Sequence, residues 1–393
     1  MPLQITRRRV LHVLTLGPVG AFLAACLSQN APPSAPGAGA AATATAGGVG
    51  QITQQPNVTF KMQSTWALRD IFHEVFVDWG KKVEEISAGR FKVDILPSGA
   101  VAGAFQLIDA VHSGTLDGGH GVPAYWFNKD RAASLFGTGP SFGMDADGWL
   151  GWIQYGGGQE LYNDLIQRKL KLNVVSFFHG PMPNQPLGWF RDEIKGPSDF
   201  QGMKFRTVGM AQDLYQKQGA SVVALPGADV VPALERGVID AAEFNNTTSD
   251  TVYGFPDVRK VLMTQSYHQP TEFCEILVNK GKYDSLPPDF RAIIKYATMA
   301  QSADMQWKFY DRNSKDYQAL LQKGIKIVKT PDSVRQAQLK GWAEIIKSDS
   351  AANPEFAKII ESQKAWAQRV VPWREAINIP MPDMIAYKFY LGG

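Results

Sequence analysis

Pro183-Asn184-Gln185-Pro186-Leu187-Gly188-Trp189-Phe190-Arg191, Gly202-Met203-Lys204-Phe205-Arg206, Asp240-Ala241-Ala242-Glu243-Phe244-Asn245-Asn246 and Tyr267-His268-Gln269-Pro270 share one design: a short apolar or β-prone run that ends on a polar group. Such runs suit strands that deliver side chains to one pocket. They deliver one fixed cation (Arg206), one carboxylate (Glu243), two amides (Gln185 and Gln269) and aromatic rings. An arginine fork reads a planar carboxylate with two parallel hydrogen bonds. A carboxylate beside amide and carbonyl oxygens is a ligand set for a hard cation. Together these residues point to a site for a small carboxylate, held directly or through a metal ion. On pattern alone, Arg206 reads equally as an exposed residue of an alternating strand, and Glu243 as a strand-end carboxylate in water.

Around this stretch the chain alternates strands with helices. Val58 to Gln63 and Arg90 to Leu96 alternate as strands, and Phe72 to Ile86 places Phe72, Val75, Phe76, Trp79 and Val83 on one helical face. Leu172 to Phe178, Met203 to Thr207, Ser221 to Leu225 and Ile276 to Asn279 read as further strands, the last crossing back between lobes. Asp229 reads as the cap of a helix from Val230 to Arg236, and Pro287-Pro288 opens a long helix to about Lys323. Ala110-Val111-His112-Ser113-Gly114-Thr115-Leu116-Asp117 echoes Ala233-Leu234-Glu235-Arg236-Gly237-Val238-Ile239-Asp240. Each copy reads as a helix stopped by a glycine and followed at once by a short strand, which suggests two lobes of similar plan. The fold class is therefore α/β, with ligands expected at the carboxyl ends of strands.

The 393 residues allow two cores, since single cores stop growing near about 250–300 residues. The formal charge of +3 equals the charge of Arg7, Arg8 and Arg9, and residues 1–25 carry no acid. The remainder is neutral and gives no electrostatic case for nucleic acid. Thr6-Arg7-Arg8-Arg9-Val10-Leu11 reads as a twin-arginine export motif, and Leu23-Ala24-Ala25-Cys26 as a lipobox that would leave a lipidated Cys26. Residues 1–26 are thus a lipoprotein signal, and 27–55, rich in Ala, Gly, Pro, Ser and Thr, a disordered tether. Cys274 reads as a small buried apolar residue. Gly156-Gly157-Gly158-Gln159 lacks the lysine of a phosphate loop, His73-Glu74 lacks a second histidine, and no His/Cys spacing offers a zinc site.

Gly188-Trp189-Phe190-Arg191, Leu234 to Glu243 and Asp117-Gly118-Gly119-His120-Gly121-Val122-Pro123-Ala124-Tyr125-Trp126 occur in the order found in extracytoplasmic solute receptors of TRAP transporters. The likeness covers roughly residues 56–375, and the sequence most resembles the branch that binds 2-oxoacids. The resemblance implies a two-lobed fold of the periplasmic-binding-protein kind, with a ligand cleft, a long connecting helix and extra C-terminal helices. It divides the chain into lobe I (56–179 plus about 247–285), lobe II (180–246 plus about 286–345) and C-terminal helices (346–393). It implies that Arg206 meets the ligand carboxylate, and that Gln185, Glu243, the Phe244 carbonyl and Gln269 surround a cation.

The sequence departs from the family in places. Phe244 stands where relatives commonly have Trp, and Asn245-Asn246-Thr247-Thr248 replaces Val-Gly-Pro, which leaves room for a more polar ligand near Asn245. Gln269 falls where some relatives place a glutamate. One charge fewer favours Na⁺, or no metal, over Ca²⁺. Tyr125, Trp66, Trp126 and Phe142 are expected on the cleft wall, with the Tyr125 phenol on the ligand; His268 is structural or functional. The implied partners are a small organic carboxylate and the membrane subunits of the transporter, with the membrane met only through the lipid. The protein would sit in the periplasm or on the outer face of a bacterial membrane. No reaction and no organic cofactor are implied. A periplasmic enzyme with Glu243 as base and a sensor for a signalling partner are the rival readings. The C-terminal aromatics, Trp366, Trp373, Tyr387, Phe389 and Tyr390, either cover the lobes or join two chains as a homodimer.

Overall fold

The computed structural model describes residues 57–379, 382 and 384–391. The signal, Cys26 and the tether lie outside the described residues. The strands in chain order are β1 (Val58–Ser64), β2 (Phe91–Leu96), β3 (Gly118–Gly121), β4 (Val174–Met182), β5 (Gly188–Phe190), β6 (Lys204–Arg206), β7 (Ser221–Val223), β8 (Ala241–Ala242), β9 (Val261–Thr264), β10 (Glu272–Asn279) and β11 (Lys326–Lys329). They form a five-stranded sheet in the order β2-β1-β3-β10-β4 and a six-stranded sheet in the order β11-β9-β5-β8-β6-β7. The first is parallel through β2, β1 and β3, and antiparallel at β10.

The chain passes from one sheet to the other between β4 and β5, and returns between β9 and β10. These crossings run side by side, with Gln185 N donating to Gln269 O at 3.2 Å. They lie at the centre of the candidate site.

The helix Ile71–Ile86 buries the predicted face against β1 and β2, and Asp70 caps it by accepting from Phe72 N. The helix Pro288–Gln322 begins with Pro288 in its first turn. Its Phe290, Ile293 and Ile294 join the core of the first lobe, and its Met305 and Phe309 pack in a cluster with Val230, Leu234 and Phe244 of the second. One helix therefore braces both lobes.

The internal echo holds at the level of hydrogen bonds. Asp117 N donates to Lys61 O while Asp117 Oδ2 accepts from Lys61 N, at 2.9 and 2.8 Å. Asp240 does the same with Lys204, at 2.8 and 2.9 Å. The strands, however, start about three residues later than the echo predicts. Leu116 N bonds back to Ala110 O, and Val238 and Ile239 N to Ala233 O, so those residues close the helix ends before a strand can begin. Gly114 and Gly237 turn the chain there with φ of 79° and 69°.

Other expectations also shift. The helix Gly227–Glu235 begins after Pro226, and Asp229 lies exposed in its first turn with no capping bond. β9 pairs with β5 and β11 in the second sheet, so residues 247–285 do not belong to lobe I as a block. The helix Pro354–Ile377 runs through Pro372, and its Phe356, Ile359, Ile360 and Ala367 fold back onto Trp149, Trp152 and Tyr162 of the first lobe. In its last two turns Trp373 is 60% exposed, and beyond it Phe389 is 80% exposed. No helix among the described residues is long and apolar enough to cross a membrane.

Candidate functional site

Parallel pairing sets the centre of the site. Arg206 is in register with Ala242, so Glu243 leaves the end of β8 beside the end of β6. Arg206 Nη1 donates to Glu243 Oε1 at 2.9 Å and to the Glu243 carbonyl at 3.0 Å. Nε and Nη2 both donate to the Leu225 carbonyl, at 2.9 and 2.7 Å. The two side chains are 1% and 0% exposed, which excludes the reading of either as a solvated surface charge. Burial pushes the Glu243 carboxyl above its ordinary value, against the pull of Arg206.

The crossings add the amides and a second carboxylate. Gln185 Nε2 donates to Glu272 Oε2 at 3.2 Å. Burial, then the charge of Glu243, pushes the Glu272 carboxyl well above its ordinary value. His268 Nε2 is 4.0 Å from Glu243 Oε2. Burial, then the charge of Arg206, pulls the imidazole down to about 3, so it faces Glu243 as a neutral ring and forms no ion pair. Its Nδ1 is 2.6 Å from Ser266 Oγ.

Around this ion pair, buried polar atoms lack protein partners: Glu243 Oε2, Gln185 Oε1, Gln269 Oε1, Glu272 Oε1 and His268 Nε2. Buried polar atoms in folded proteins are nearly always satisfied, so such a group needs an explanation. Gln269 Nε2 is unpartnered as well; four of these six atoms are oxygens of carboxylates or amides, the donor set of a hard cation. The residues present therefore fit a bound cation.

The structure brings Arg206, Gln185, Glu243 and Gln269 together. Tyr125 joins them: its phenol feels Arg206, Glu272 and Glu243, and burial pushes it up. Trp66 stacks on Phe72 with centroids 4.7 Å apart and also faces His120. Phe244 lies under the guanidinium at 5.4 Å. Three expectations shift. Trp126 binds the core carboxylate Glu275 through Nε1, at 2.6 Å, and Phe142 packs against the first-lobe core. Asn245 contacts Met182 Sδ and accepts from Asn246, which itself caps the helix Thr247–Tyr253, so these amides serve the chain itself.

Sequence reading missed Glu272. Gln269 was expected to leave the site one carboxylate short, but Glu272, three residues on, places a second carboxyl near Glu243. Gly209, in the loop after Arg206, lies against the other lobe: a Cβ there would meet Thr138 Oγ1 at 2.1 Å and Ser134 Oγ at 2.9 Å. A cavity of about 600 Å³ opens beside the crossings, lined by Pro181, Pro183, Asn184, Pro270, Phe309 and Tyr310, but by none of the four central residues.

A family model described as bacterial extracellular solute-binding protein, family 7, matches residues 62–351. A monocarboxylate 2-oxoacid-binding periplasmic protein of Nostoc sp. is 30% identical over 81% of this chain and 86% of its own. A TRAP periplasmic solute-binding protein of Pseudoalteromonas atlantica, solved with sodium and pyruvate, is 31% identical with a TM-score of 0.77, covering 82% of this chain and 97% of its own. One from Bordetella bronchiseptica, a mixed-occupancy dimer with calcium and picolinate, is 28% identical with a TM-score of 0.79, covering 82% and 95%. The chain belongs to the family 7 bacterial extracellular solute-binding proteins, the DctP-type receptors of TRAP transporters.

Proposed function

We propose that this receptor captures a small 2-oxoacid-like carboxylate between its lobes, through a bound Na⁺, and hands it to TRAP membrane subunits. The observation that carries this reading is the set of unpartnered buried oxygens on Gln185, Glu243, Gln269 and Glu272 around one fixed arginine. Arg206 is matched in charge by Glu243. Burial, then the charge of Glu243, pushes the Glu272 carboxyl well above its ordinary value, which favours its neutral form. An arriving carboxylate then needs one more positive charge, which a monovalent ion supplies. With Glu272 ionised the same sum asks for a divalent ion, such as the calcium of the Bordetella relative. The ion would draw on the Gln185, Glu243, Phe244 and Gln269 oxygens, and the ligand carboxylate would meet Tyr125 and the one Nη2 N–H of Arg206 that Leu225 and Glu243 leave unused. No chemical step is proposed: Glu243 is tied to Arg206, and the Ser266 hydroxyl on the far side of His268 is buried and held by His268 and Gln338.

Binding of pyruvate in Na⁺ buffer, repeated with a bulky organic cation at equal ionic strength, tests the reading. Affinity should fall at least about tenfold without Na⁺; equal affinity rejects the cation bridge.

Cys26 would anchor the receptor by a lipid, so Cys26→Ala should move the protein from the membrane fraction to the soluble one. The exposed Trp373 and Phe389, with the dimeric Bordetella relative, favour a second copy as partner for the C-terminal helices. Light scattering at tens of micromolar should give twice the chain mass; the mass of one chain removes the dimer.

A further inference from the structure

Three reactive side chains that the carboxylate site does not use meet on the first sheet. His120 stands on β3, His179 on β4 and Cys274 on β10 between them, with Cys274 in register with His179 and Ile276 with His120. All three are fully buried. Their ligand atoms lie within 4.8 Å of one another. Sequence spacing could not show this cluster, because folding alone joins positions so far apart, and it corrects the expectation that no His/Cys set forms.

The two Nε2 atoms are 2.9 Å apart, with ring centroids at 4.9 Å and planes 24° apart. The two rings share a hydrogen bond, one Nε2 donating and the other accepting, so a bound ion would replace that bridge as the donor ring moves its proton to Nδ1, with the thiol as third donor. Phe76 and Trp66 close the site on the side of His120. Burial keeps both imidazoles neutral, the state in which imidazole is a ligand.

We propose that His120, His179 and Cys274 form a buried three-coordinate site for Cu(I), which staples the central strands β3, β10 and β4. Two neutral imidazoles, one thiolate and Cu⁺ sum to zero charge, which suits an apolar interior. Zn²⁺ would leave a net positive charge and ask for a fourth ligand, and among the described residues no carboxylate joins the cluster. Thiolate and imidazole are also the donors that favour a soft cuprous ion. Binding forms a Cu–S bond as the thiol releases its proton to solvent; no electron is transferred. Neither Nδ1 has a protein acceptor, and missing support of this kind weakens metal sites about 10–100-fold.

The test loads the full chain with Cu(I) under anaerobic conditions against a chromophoric cuprous chelator. Wild type and Cys26→Ala should each retain about one Cu(I) per chain, show thiolate-to-copper absorption and melt at a higher temperature than the metal-free protein. Cys274→Ser and His179→Gln should retain none. Equal retention by wild type and these variants overturns the proposal, as does preferential retention of Zn²⁺. Should either variant fail to fold, wild type decides alone: no thiolate-to-copper absorption at stoichiometric Cu(I) rejects the site.

Discussion

Glu272 and Glu275 lie on the same strand and are both buried, yet the fold treats them in opposite ways. Glu275 Oε1 accepts from Trp126 Nε1 and the Tyr162 hydroxyl, at 2.6 and 3.0 Å, and Oε2 accepts from Ser176 at 2.6 Å. Each of its oxygens is used, and burial lifts its carboxyl to about 7. Glu272 has one bond, from Gln185, and its Oε1 has none. A register shift between Glu272 and Cys274 separates them. Irregularities of this kind re-aim a side chain, here toward the crossings and away from the first-lobe core. A buried carboxyl with both oxygens bonded is a packing element; one with an unpartnered oxygen beside a second carboxylate still needs a partner from outside the chain.

Substitutions at these positions can break the contrast. The largest effect is expected from Glu243→Gln, which leaves Arg206 buried without its counter-charge. Denaturant unfolding should show a loss of about 3–5 kcal/mol. A loss under about 1 kcal/mol would mean that water reaches the guanidinium.

Next comes Glu275→Gln. The folded carboxyl titrates near 7 and the unfolded one near 4.5, so folding takes up a proton between those values. Its stabilisation is full below about pH 4.5 and falls by about 3 kcal/mol as pH rises through 7. Glutamine can accept from Trp126 and Tyr162 and donate to Ser176, so the variant should fold with a flatter pH profile. Asp70 and Asp250, raised to about 6 and about 7 by burial, keep a residual slope of the same sign. An unchanged profile would remove Glu275 as its source.

Arg206→Lys retains the charge but loses the planar fork on Leu225, and calorimetry should show ligand binding weaker by about 2 kcal/mol. The smallest effect on stability belongs to Glu272→Gln, within about 1 kcal/mol, because the side chain makes one hydrogen bond. Its signature lies in ion choice: pyruvate binding should persist in Na⁺ and lose any response to Ca²⁺. A Ca²⁺ response equal to wild type would put the selecting charge elsewhere.

Much of the fold was legible because its signals are local. The helical face from Phe72 to Val83 and the long helix opened by Pro287-Pro288 are written in spacing and caps. Arg206 and Glu243 could be named because each ends a short apolar run, and Gln185 and Gln269 because the resemblance to the receptors implies oxygen ligands there. Glu272 could not, since it opens a run that reads as strand only from Ile276, and the register break beside it has no sequence signal. The strand starts near Gly118 and Ala241 were misread because Leu116 and Ile239 look like strand residues while closing helix ends. Asn245 and Asn246 look like ligands in sequence, but a helix start claims Asn246, which in turn binds Asn245.

The Leu225 carbonyl grips Arg206 through two donors. The guanidinium is therefore already immobile before any carboxylate arrives, and about 0.5–1.5 kcal/mol of side-chain ordering is excluded from the binding step. A receptor so prepared should capture its different ligands at similar speeds. Their rank order would then be set by how long each stays, and stopped-flow kinetics would find it in the dissociation rates.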